Sequence, residues 1–492
     1  MKNRNSVEAS VAAEAGFVSK ALDVARALVF SAAEAKGHRS AAAALGAPSA
    51  SALRTRIVCT TLALCVANSL GAQTTQYPDP TQRVLTHREQ AGLVKGWIQK
   101  RFDTLLPTLM QRTGIDMWII VSREYNDDPV FRSMAPLTTY SSRRRTILVF
   151  FNPGGGKPVE RLSIGRFDYD GLFKVVQTHN DAQYEGLRKI VDERRPKVIG
   201  INESDAWNHA DGLTANEKRR LVAALGPENA ARLKSAEMLA VGWLEMKLPE
   251  ELEAYRHVMK VAHLVIREAF SNKVITPGKT TNEDVVWWMR QRVAEMGLGK
   301  WFHPSVTIHR QGGIKPGANG IQPGDMLHTD FGIVYLGFST DTQHNAYVLK
   351  PGETDAPPGL KEGLKAANRL QDISMRFATP GNSGNEALRA ARQLAIKEGL
   401  VPSIYWHPVG YHGHAAGPPM GMTDYQEGVP VRGDYVFQPY TWHSVELNVT
   451  HKVPEWGGQD VRFALEEDAA IMPDGKWDWI DGRQTEFYLI KP

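Results

Sequence analysis

The sequence predicts an α+β protein with two globular domains, of which the second carries the chemistry. The 492 residues are enough for two domains of ordinary size once a leader is set aside. The first half mixes short apolar, strand-like runs with polar helical segments. The last third contains apolar, strand-like segments that are interrupted by acidic residues. Acidic side chains are costly to bury without a compensating charge. Function is therefore expected in the second domain.

The beginning of the chain predicts export. Residues 53–72 combine two arginines, an apolar stretch too short for a comfortable membrane span, and small residues before Gln73, which is typical of a secretory signal peptide. Both cysteines, Cys59 and Cys65, lie inside this segment, so a mature chain would form no disulfide. The predicted location is secreted or periplasmic, with no membrane association after the signal is removed.

An alanine-rich extension, residues 1–52, precedes the predicted signal. No methionine occurs between Met1 and Met110, so we interpret translation as starting at a non-standard codon near Leu53. The alternative is a genuine amphipathic leader or tail. Tryptic peptides from the extension in the native protein would refute the first interpretation.

The first globular domain is predicted over residues 84–242. Strand-like runs at 116–121, 146–151 and 198–202 alternate with polar helical segments, as in an α/β domain. The second domain is predicted over residues 245–490. It opens on a helix whose first turn holds a proline followed by acids, which suits the start of a helix dipole.

The charge of the chain gives no indication of a nucleic-acid partner. The formal net charge is +4, spread over the whole chain. The run Arg143-Arg144-Arg145 is short, and we interpret it as a solvated turn. No segment beyond the signal is long and apolar enough to predict a membrane span.

Five residues in the last third form a candidate metal-ligand set. Four carboxylates and one imidazole suit two hard or borderline divalent cations that share a water, because bridging carboxylates hold two cations together without excess positive charge. The residues are Asp330, Asp341, His414, Glu446 and Glu466. Their types and order indicate metal-assisted hydrolysis.

The first two acids lie in a predicted hairpin. Two β-rich runs around Asp330 and Asp341 are joined by a glycine-containing turn, as in adjacent antiparallel strands, so the two carboxylates are expected to face each other. A cation is the usual compensation for an acid on an apolar strand. The alternative is a surface hairpin whose acids are solvated.

Residues further along the chain favour the metal site. Three histidines, His407, His412 and His414, stand among glycines and prolines in one segment, which suits a rigid loop presenting imidazoles. Glu446 and Glu466 each lie in an apolar segment with the pattern of a β-strand. Solvation alone does not explain acids on this many strands.

The ligand set resembles that of the pita-bread metallopeptidases, which include methionine aminopeptidase, proline-specific aminopeptidase, prolidase and the metal-free creatinase. Their pattern is two aspartates eleven residues apart, a histidine in a Gly-His-x-x-Gly turn, and two glutamates. Asp330 and Asp341 have that spacing, and residues 413–417 match the turn. Because all five ligands are present, the chain resembles the metal-dependent members rather than creatinase.

The two glutamates complete the resemblance. Glu446 falls where the fourth ligand is expected, and Glu466 fits the last one because it directly follows an apolar residue; Glu467 is the alternative. The matching segment covers roughly residues 245 to 490, and the combined motif set is specific although each piece alone is weak.

The resemblance implies a fold, cofactors and partners. It implies a pita-bread catalytic domain preceded by a smaller creatinase-type α/β domain, which drives dimerisation in that family, so a homodimer is expected. Two divalent ions (Mn, Zn, Co or Fe) would be bridged by Asp341 and Glu466, with Asp330 completing one site and His414 and Glu446 the other. A metal-bridging hydroxide would then attack an Xaa-Pro bond or another amide of a short peptide.

The resemblance also implies catalytic side chains. His309 falls about where the family has a histidine that contacts substrate, and Glu446 would also relay a proton. A further family histidine, seven residues after the ligand histidine, is replaced here by Gly421. His412, His443 or a water are the alternatives for its role. This departure concerns the substrate more than the metal chemistry.

Two other functions are kept as alternatives. One is a non-catalytic metal- or peptide-binding module on the same fold, and the other is a hydrolase of small non-peptide amide or amidino compounds. The family arginine that often stands two residues before the last glutamate is Ala464 here, with Arg462 the nearest candidate. Metal analysis separates an enzyme from a binding module, because Asp341→Ala should remove metal and activity only from the enzyme.

Overall fold

One β-sheet in the N-terminal half and four β-sheets in the C-terminal half organise the described part of the chain. The computed structural model describes residues 77–180, 182–315 and 317–492. The predicted extension and the predicted signal, residues 1–52 and 53–72, lie outside the described residues and stay predictions. The described part of the chain begins with Tyr77 and belongs to one compact unit.

A six-stranded mixed sheet forms the N-terminal half. Its strands are β1 (Met117–Arg123), β2 (Arg145–Phe151), β3 (Glu160–Ile164), β4 (Lys174–Val176), β5 (Ile199–Ile201) and β6 (Leu233–Ser235). Their order is β4-β3-β2-β1-β5-β6. Side chains of β1 alternate between two cores, with Trp118 and Ile120 on one face and Met117 and Ile119 on the other. The strands predicted at 116–121, 146–151 and 198–202 are thereby confirmed.

Five α-helices of the described residues accompany this sheet. They are α1 (His87–Thr113), α2 (Pro129–Met134), α3 (Ala182–Arg194), α4 (Ala215–Ala230) and α5 (Glu237–Glu245). Thr86 begins α1 with a capping box, because its hydroxyl accepts from the Glu89 amide while the Glu89 carboxylate accepts from the Thr86 amide. The helix ends at Gly114, whose φ of 67° lies in the left-handed region that favours glycine.

The C-terminal half contains four sheets among the described residues. Their strands are β7 (Ser305–His309), β8 (Met326–Phe331), β9 (Val334–Tyr335), β10 (Phe338–Ser339), β11 (Thr342–Val348), β12 (Pro402–Ile404), β13 (His407–Pro408), β14 (Trp442–Ser444), β15 (Leu447–Val453), β16 (Gln459–Leu465), β17 (Asp468–Ile471), β18 (Trp477–Trp479) and β19 (Tyr488–Ile490). The first sheet has the strand order β19-β11-β8-β7, the second β12-β15-β16 and the third β13-β14-β17-β18. The fourth is a short hairpin that pairs β9 with β10.

Four α-helices pack with these sheets. They are α6 (Pro249–Ala269), α7 (Asn282–Glu295), α8 (Pro358–Phe377) and α9 (Gly384–Lys397). The helix predicted after residue 245 is confirmed as α6, and Pro249 occupies its first turn, where the missing amide hydrogen costs nothing. None of the helices in the described part of the chain combines the length and apolarity needed to cross a membrane.

The predicted antiparallel hairpin around the first two acids is present. β8 and β11 are antiparallel, and the residue opposite Asp330 is Gln343. Asp341 lies just before β11, two residues from Gln343, so its side chain shares a face with Gln343 and Asp330. The two aspartate side chains therefore lie on one face of the hairpin, offset by one step of this alternation from direct cross-strand pairing.

Buried charges join the two halves of the chain. Arg101 on α1 and Glu251 on α6 form an ion pair of 3.0 Å, and both side chains are fully buried. The second carboxylate oxygen of Glu251 accepts from the Tyr411 hydroxyl at 2.9 Å. Trp243 stacks on Phe102 beside this pair. Because Tyr411 belongs to the histidine-rich loop, α1 and α6 together support that loop from below.

Candidate metal centre

Three carboxylates from separate strands converge in the C-terminal half. Asp330, Asp341 and Glu466 each offer an oxygen, and the three atoms lie within 4.8 Å of one another. Asp330 stands on β8, Asp341 immediately before β11, and Glu466 immediately after β16. An isolated bridge between Gln343 and Glu466 ties β11 to the end of β16, which brings the acids of different sheets together.

Two further groups of potential ligands share members with this one. Asp341 also lies with His407 and His414, and Glu466 also lies with His407 and Glu446. The structure therefore brings all five predicted ligands into one connected cluster. Asp341 and Glu466, the two residues expected to bridge, are the carboxylates that belong to two groups each.

His407 lies at the centre of the cluster, and the sequence did not single it out as a ligand. Its Nε2 atom is 3.4 Å from Asp341 Oδ2, 3.3 Å from Glu466 Oε1 and 4.0 Å from Glu446 Oε2. Burial alone would lower the pKa of His407, but Asp341 and Glu466 raise it well above its ordinary value. β13 pairs with β14 and carries His407 to the cluster. The sequence held a signal for this residue, because His407-Pro408-Val409-Gly410 fits the His-x-x-Gly part of the family turn and His414 stands seven residues later, where the family has its further histidine.

The carboxylates of the cluster are electrostatically frustrated. Burial and the neighbouring Glu466 raise the pKa of Asp330 to about 7 and hold the pKa values of Asp341 and Glu446 well above the ordinary range. The Oδ1 atoms of Asp330 and Asp341 are buried and have no hydrogen-bond partner among the described residues. Oxygen atoms left in this state fit a bound divalent cation, whose charge would offset both costs.

Neutral side chains hold two of the glutamates in place. The Gln343 amide donates to Glu466 Oε2 at 2.8 Å and to Glu446, and its oxygen lies 2.9 Å from His328 Nε2. The Ser444 hydroxyl donates to Glu466 Oε1 at 2.6 Å. These groups fix the direction in which Glu446 and Glu466 present their remaining lone pairs.

Replacing Gln343 with alanine is expected to weaken metal binding by about 10- to 100-fold, the usual effect of losing a hydrogen-bond partner of a ligand. The reason is that Glu446 and Glu466 both lose the amide that orients them. Competition with a metal chelator measures this affinity. Gln291→Ala, at an exposed position of α7, is the matched control and should bind metal as the wild type does.

Asp468 supports the backbone at Asp341. One of its oxygens, Oδ2, accepts from the Tyr255 hydroxyl at 2.7 Å and from the Asp341 amide at 3.2 Å. All three residues are buried. Asp341 is therefore positioned through its main chain by Asp468, the first residue of β17, and a shift of Asp468 would move Asp341 with it.

The structure separates Glu466 from its neighbour Glu467. Successive side chains on a strand point to opposite faces, and Glu467 points away from the cluster. Its two oxygens lie 3.0 Å from His263 Nε2 and 2.6 Å from His344 Nε2. Because both Glu467 oxygens are engaged there, Glu466 is the glutamate that faces Asp330 and Asp341.

The two histidines predicted to be catalytic lie outside the ligand groups of the described residues. His309 ends β7 opposite Met326, and the charged residue that acts on it is Arg462. His412 packs its ring 4.5 Å from the ring of His209, which belongs to the N-terminal half. Burial and His209 lower the pKa of His412 to about 3. Both assignments stay predictions.

His443, the other alternative for the missing family histidine, is enclosed by aromatic rings. It is fully buried, with Phe437 at 5.1 Å and Trp477 at 5.5 Å between ring centroids. Its strand β14 lies between β13 and β17. This setting resembles a packed core position more than a place beside a substrate.

Gly421, at the position of that histidine, has a backbone that only glycine adopts easily. Its φ is +80°, and a Cβ atom would lie 2.2 Å from the Ile404 carbonyl oxygen. Gly421→Ala is therefore expected to lower the free energy of unfolding by more than about 1 kcal/mol. Urea unfolding measures the change. Gly482→Ala is the matched control, because its φ is +82° but its Cβ would meet no atom within 4 Å; equal losses would contradict the steric explanation.

Comparison with known proteins agrees with this geometry. The model of the family described as metallopeptidase family M24 matches residues 253–466, which include all five predicted ligands. An uncharacterised peptidase of Bacillus subtilis (strain 168), YqhT, is 28% identical over 376 residues, covering 75% of this chain and 95% of that protein. The match over nearly the whole length of YqhT extends the similarity beyond the ligand segment.

Solved structures show the same fold. The X-Pro aminopeptidase of Thermotoga maritima MSB8 superposes with a TM-score of 0.56 at 16% identity, covering 76% of this chain and 98% of that chain. The Xaa-Pro dipeptidase of Bacillus anthracis superposes with a TM-score of 0.50 at 17% identity, covering 81% and 99%. At these identities the likeness concerns the fold, an N-terminal domain followed by a C-terminal catalytic domain.

Proposed function

We propose that this chain, whose residues 253–466 match the model of metallopeptidase family M24, is a dinuclear enzyme that hydrolyses Xaa-Pro bonds of short peptides. The observation that carries the proposal is the sharing of Asp341 and Glu466 between ligand groups. A single ion does not require two carboxylates that each belong to two ligand groups. Two ions that share ligands do require such carboxylates.

The ligand roles follow from the grouping. Asp330, Asp341 and Glu466 would hold one ion, and Glu446 and Glu466 with His407 would hold the other, while His414 shares a group with Asp341 and His407. One imidazole with four carboxylates accepts Mn, Zn, Co or Fe. Divalent ions bound there would supply Lewis acidity to a substrate carbonyl and would lower the pKa of a bound water.

Glu446 is the residue best placed to move a proton. Its Oε1 atom accepts from Gln343, which leaves Oε2 directed toward His407 Nε2 at 4.0 Å. We propose that Oε2 takes the proton of the attacking water and returns it to the amine of the departing product. His407 lies close enough to both Glu446 and Glu466 to hold their orientation during this transfer.

Arg462 is proposed to hold a carboxyl group of the substrate. Its guanidinium donates to the Tyr405 hydroxyl at 2.7 Å, and its side chain lies on the exposed side of β16. Its charge also acts on Asp330 and on His309, so it lies near the ligand cluster. A guanidinium near the candidate ligands could pair with the C-terminal carboxylate of a short peptide.

The substrate assay compares matched peptides. Protein loaded with Mn, Zn, Co or Fe is incubated with Xaa-Pro dipeptides and Xaa-Pro-Xaa tripeptides, and each peptide has a partner in which alanine replaces proline. Cleavage of the proline series, with kcat/KM at least about tenfold above the alanine series, is expected if differential binding of the proline ring decides specificity. Metal content is measured on the same samples.

Two outcomes would contradict the proposal in different ways. Metal-loaded protein that cleaves none of these peptides would redirect the search to small non-peptide amide or amidino compounds. Protein that binds peptides with high affinity and retains no metal would indicate a binding module on the same fold. A metal content near one ion per active chain would be compatible with peptidase activity but would contradict the dinuclear mechanism.

A further inference from the structure

A cavity of about 610 Å³ opens at one end of the N-terminal sheet, away from the metal ligands. It lies where β1 and β3 end and β2 begins. Six arginines line it, namely Arg123, Arg143, Arg144, Arg145, Arg166 and Arg220. The run Arg143-Arg144-Arg145, which the sequence predicts as a solvated turn, therefore contributes to the wall of a cavity. A cavity of this volume is of the size that holds a small molecule.

Three of these arginines are held by carboxylates of the protein. Arg145 lies 2.8 Å and Arg123 lies 3.6 Å from the carboxylate of Glu217, which is buried beneath the cavity. Arg143 lies 3.2 Å from Glu124 at the cavity wall. These ion pairs fix the wall of the cavity in place.

Arg144 and Arg166 differ from these three. Both are exposed and line the cavity, and neither guanidinium has a carboxylate or hydrogen-bond partner among the described residues. Guanidinium groups present a planar fork of donors that matches carboxylate and phosphate oxygens. Two such forks on one cavity provide a place for an anion from outside the protein.

The backbone around the cavity is strained in a way that supports a binding role. Nine residues other than glycine have positive φ among the described residues, and four of them line this cavity. They are Tyr125 (φ 64°), Arg144 (φ 54°), Tyr169 (φ 51°) and Asn180 (φ 54°). Such conformations cost about 1–3 kcal/mol each and concentrate at ligand clamps and active sites.

We propose that this cavity binds a small oxyanion with at least two negative charges, held by the guanidinium groups of Arg144 and Arg166. Phosphate-type anions and polycarboxylates share this chemistry. The left-handed backbone at Arg144 directs its side chain to the cavity, where Arg166 arrives from the turn after β3. The site is separate from the proposed peptidase centre and does not depend on it.

Isothermal titration of the full chain with pyrophosphate and with citrate, at constant ionic strength, tests this site. The wild type is expected to bind one of the two anions at one site per chain. The double variant Arg144→Ala/Arg166→Ala is expected to bind at least about tenfold more weakly, since two charge-assisted contacts are removed. Tighter binding of pyrophosphate would identify a tetrahedral oxyanion, and tighter binding of citrate would identify a carboxylate ligand.

Arg376→Ala is the matched control, because Arg376 is an exposed arginine on α8 in the other half of the chain. It is expected to bind the anion as the wild type does. Circular dichroism and peptidase activity of the double variant should equal those of the wild type, which shows that the fold and the metal centre are intact. Absence of binding to either anion by the wild type, equal affinity of the double variant, or an equal loss in the control would each overturn the proposal.

Discussion

Replacing Asp341 with asparagine is expected to abolish metal-dependent peptidase activity. Asp341 offers an oxygen to two ligand groups, so its loss affects both proposed metal positions. Losing an outer hydrogen-bond partner of a ligand costs about 10- to 100-fold in affinity or activity, and the loss of a bridging ligand should exceed that range. Asparagine preserves the volume of the side chain and removes its charge. Metal content by mass spectrometry and kcat/KM on the proline peptides measure the two effects.

The same substitution should leave the metal-free protein at least as stable as the wild type. Burial and Glu466 raise the pKa of Asp341 well above its ordinary value, which means that its ionised form destabilises the fold when no cation is bound. In Asp341→Asn the melting temperature without metal should therefore be equal or higher, and the gain produced by added metal should disappear. Loss of activity through unfolding predicts the opposite, a lower melting temperature in both conditions.

Asp460→Asn provides the control for the loss of a negative charge. Asp460 is exposed on β16 and pairs with Lys452 at 3.0 Å, far from any ligand role. It should retain metal content, activity and the thermal gain from metal. An Asp341→Asn protein that kept its metal-induced thermal gain would remove Asp341 from the ligand set.

The five candidate ligands could be proposed from the sequence because each stands in a short segment with its own pattern. Asp330 and Asp341 lie in one hairpin, His414 lies in a glycine-rich turn, and Glu446 and Glu466 interrupt apolar strands. The alternation of side chains between the two faces of a strand can be inferred from the local sequence alone. Even the choice of Glu466 over Glu467 agrees with that alternation once one face is known to carry the cluster.

His407 could have been indicated by the sequence, because His407-x-x-Gly410 fits the family turn and His414 follows seven residues later. Residues that depend only on long-range register could not be predicted in this way. Gln343 reaches Glu466 through a bridge between segments more than a hundred residues apart. The sequence around Gln343 does not distinguish it from a surface glutamine. The same holds for His209, whose contact with His412 joins the two halves of the chain. Single-sequence patterns carry no information on these pairings.

The second large effect is expected at Glu467, on the face of the strand opposite the metal ligands. Its carboxylate lies between His263 and His344, and the remaining ring nitrogens of those histidines contact Asp481 and Tyr488, each at 3.0 Å. Glu467 is fully buried. Glu467→Gln leaves a buried imidazolium without its main counter-charge, which costs about 3–5 kcal/mol.

Glu398→Gln is the control for removing one acid from an ion pair. Glu398 pairs with Arg369 at 2.7 Å on the protein surface, where such a pair contributes about 0–1 kcal/mol. Urea unfolding of both variants and the wild type, with a chelator present throughout, compares the buried and the exposed pair without a contribution from bound metal. A loss at Glu467→Gln no larger than that at Glu398→Gln would contradict a stabilising role for the buried cluster.

The pH dependence of stability should identify the cluster as the source of the effect. Burial alone would lower the pKa of His263, but Glu467 and Asp481 raise it from 6.5 to about 9. Because the folded protein holds this proton more tightly, the stabilisation is complete below pH 6.5 and is lost as pH rises through about 9. Burial alone would raise the pKa of Glu467, but the two histidines lower it from 4.5 to about 2, so its contribution is complete above pH 4.5 and is lost toward pH 2.

The difference in unfolding free energy between wild type and Glu467→Gln should therefore be largest between about pH 4.5 and 6.5 and should decrease by pH 9. A difference that stays constant from pH 5 to 9 would mean that lost packing, and not the charge pair, sets the stability of this face.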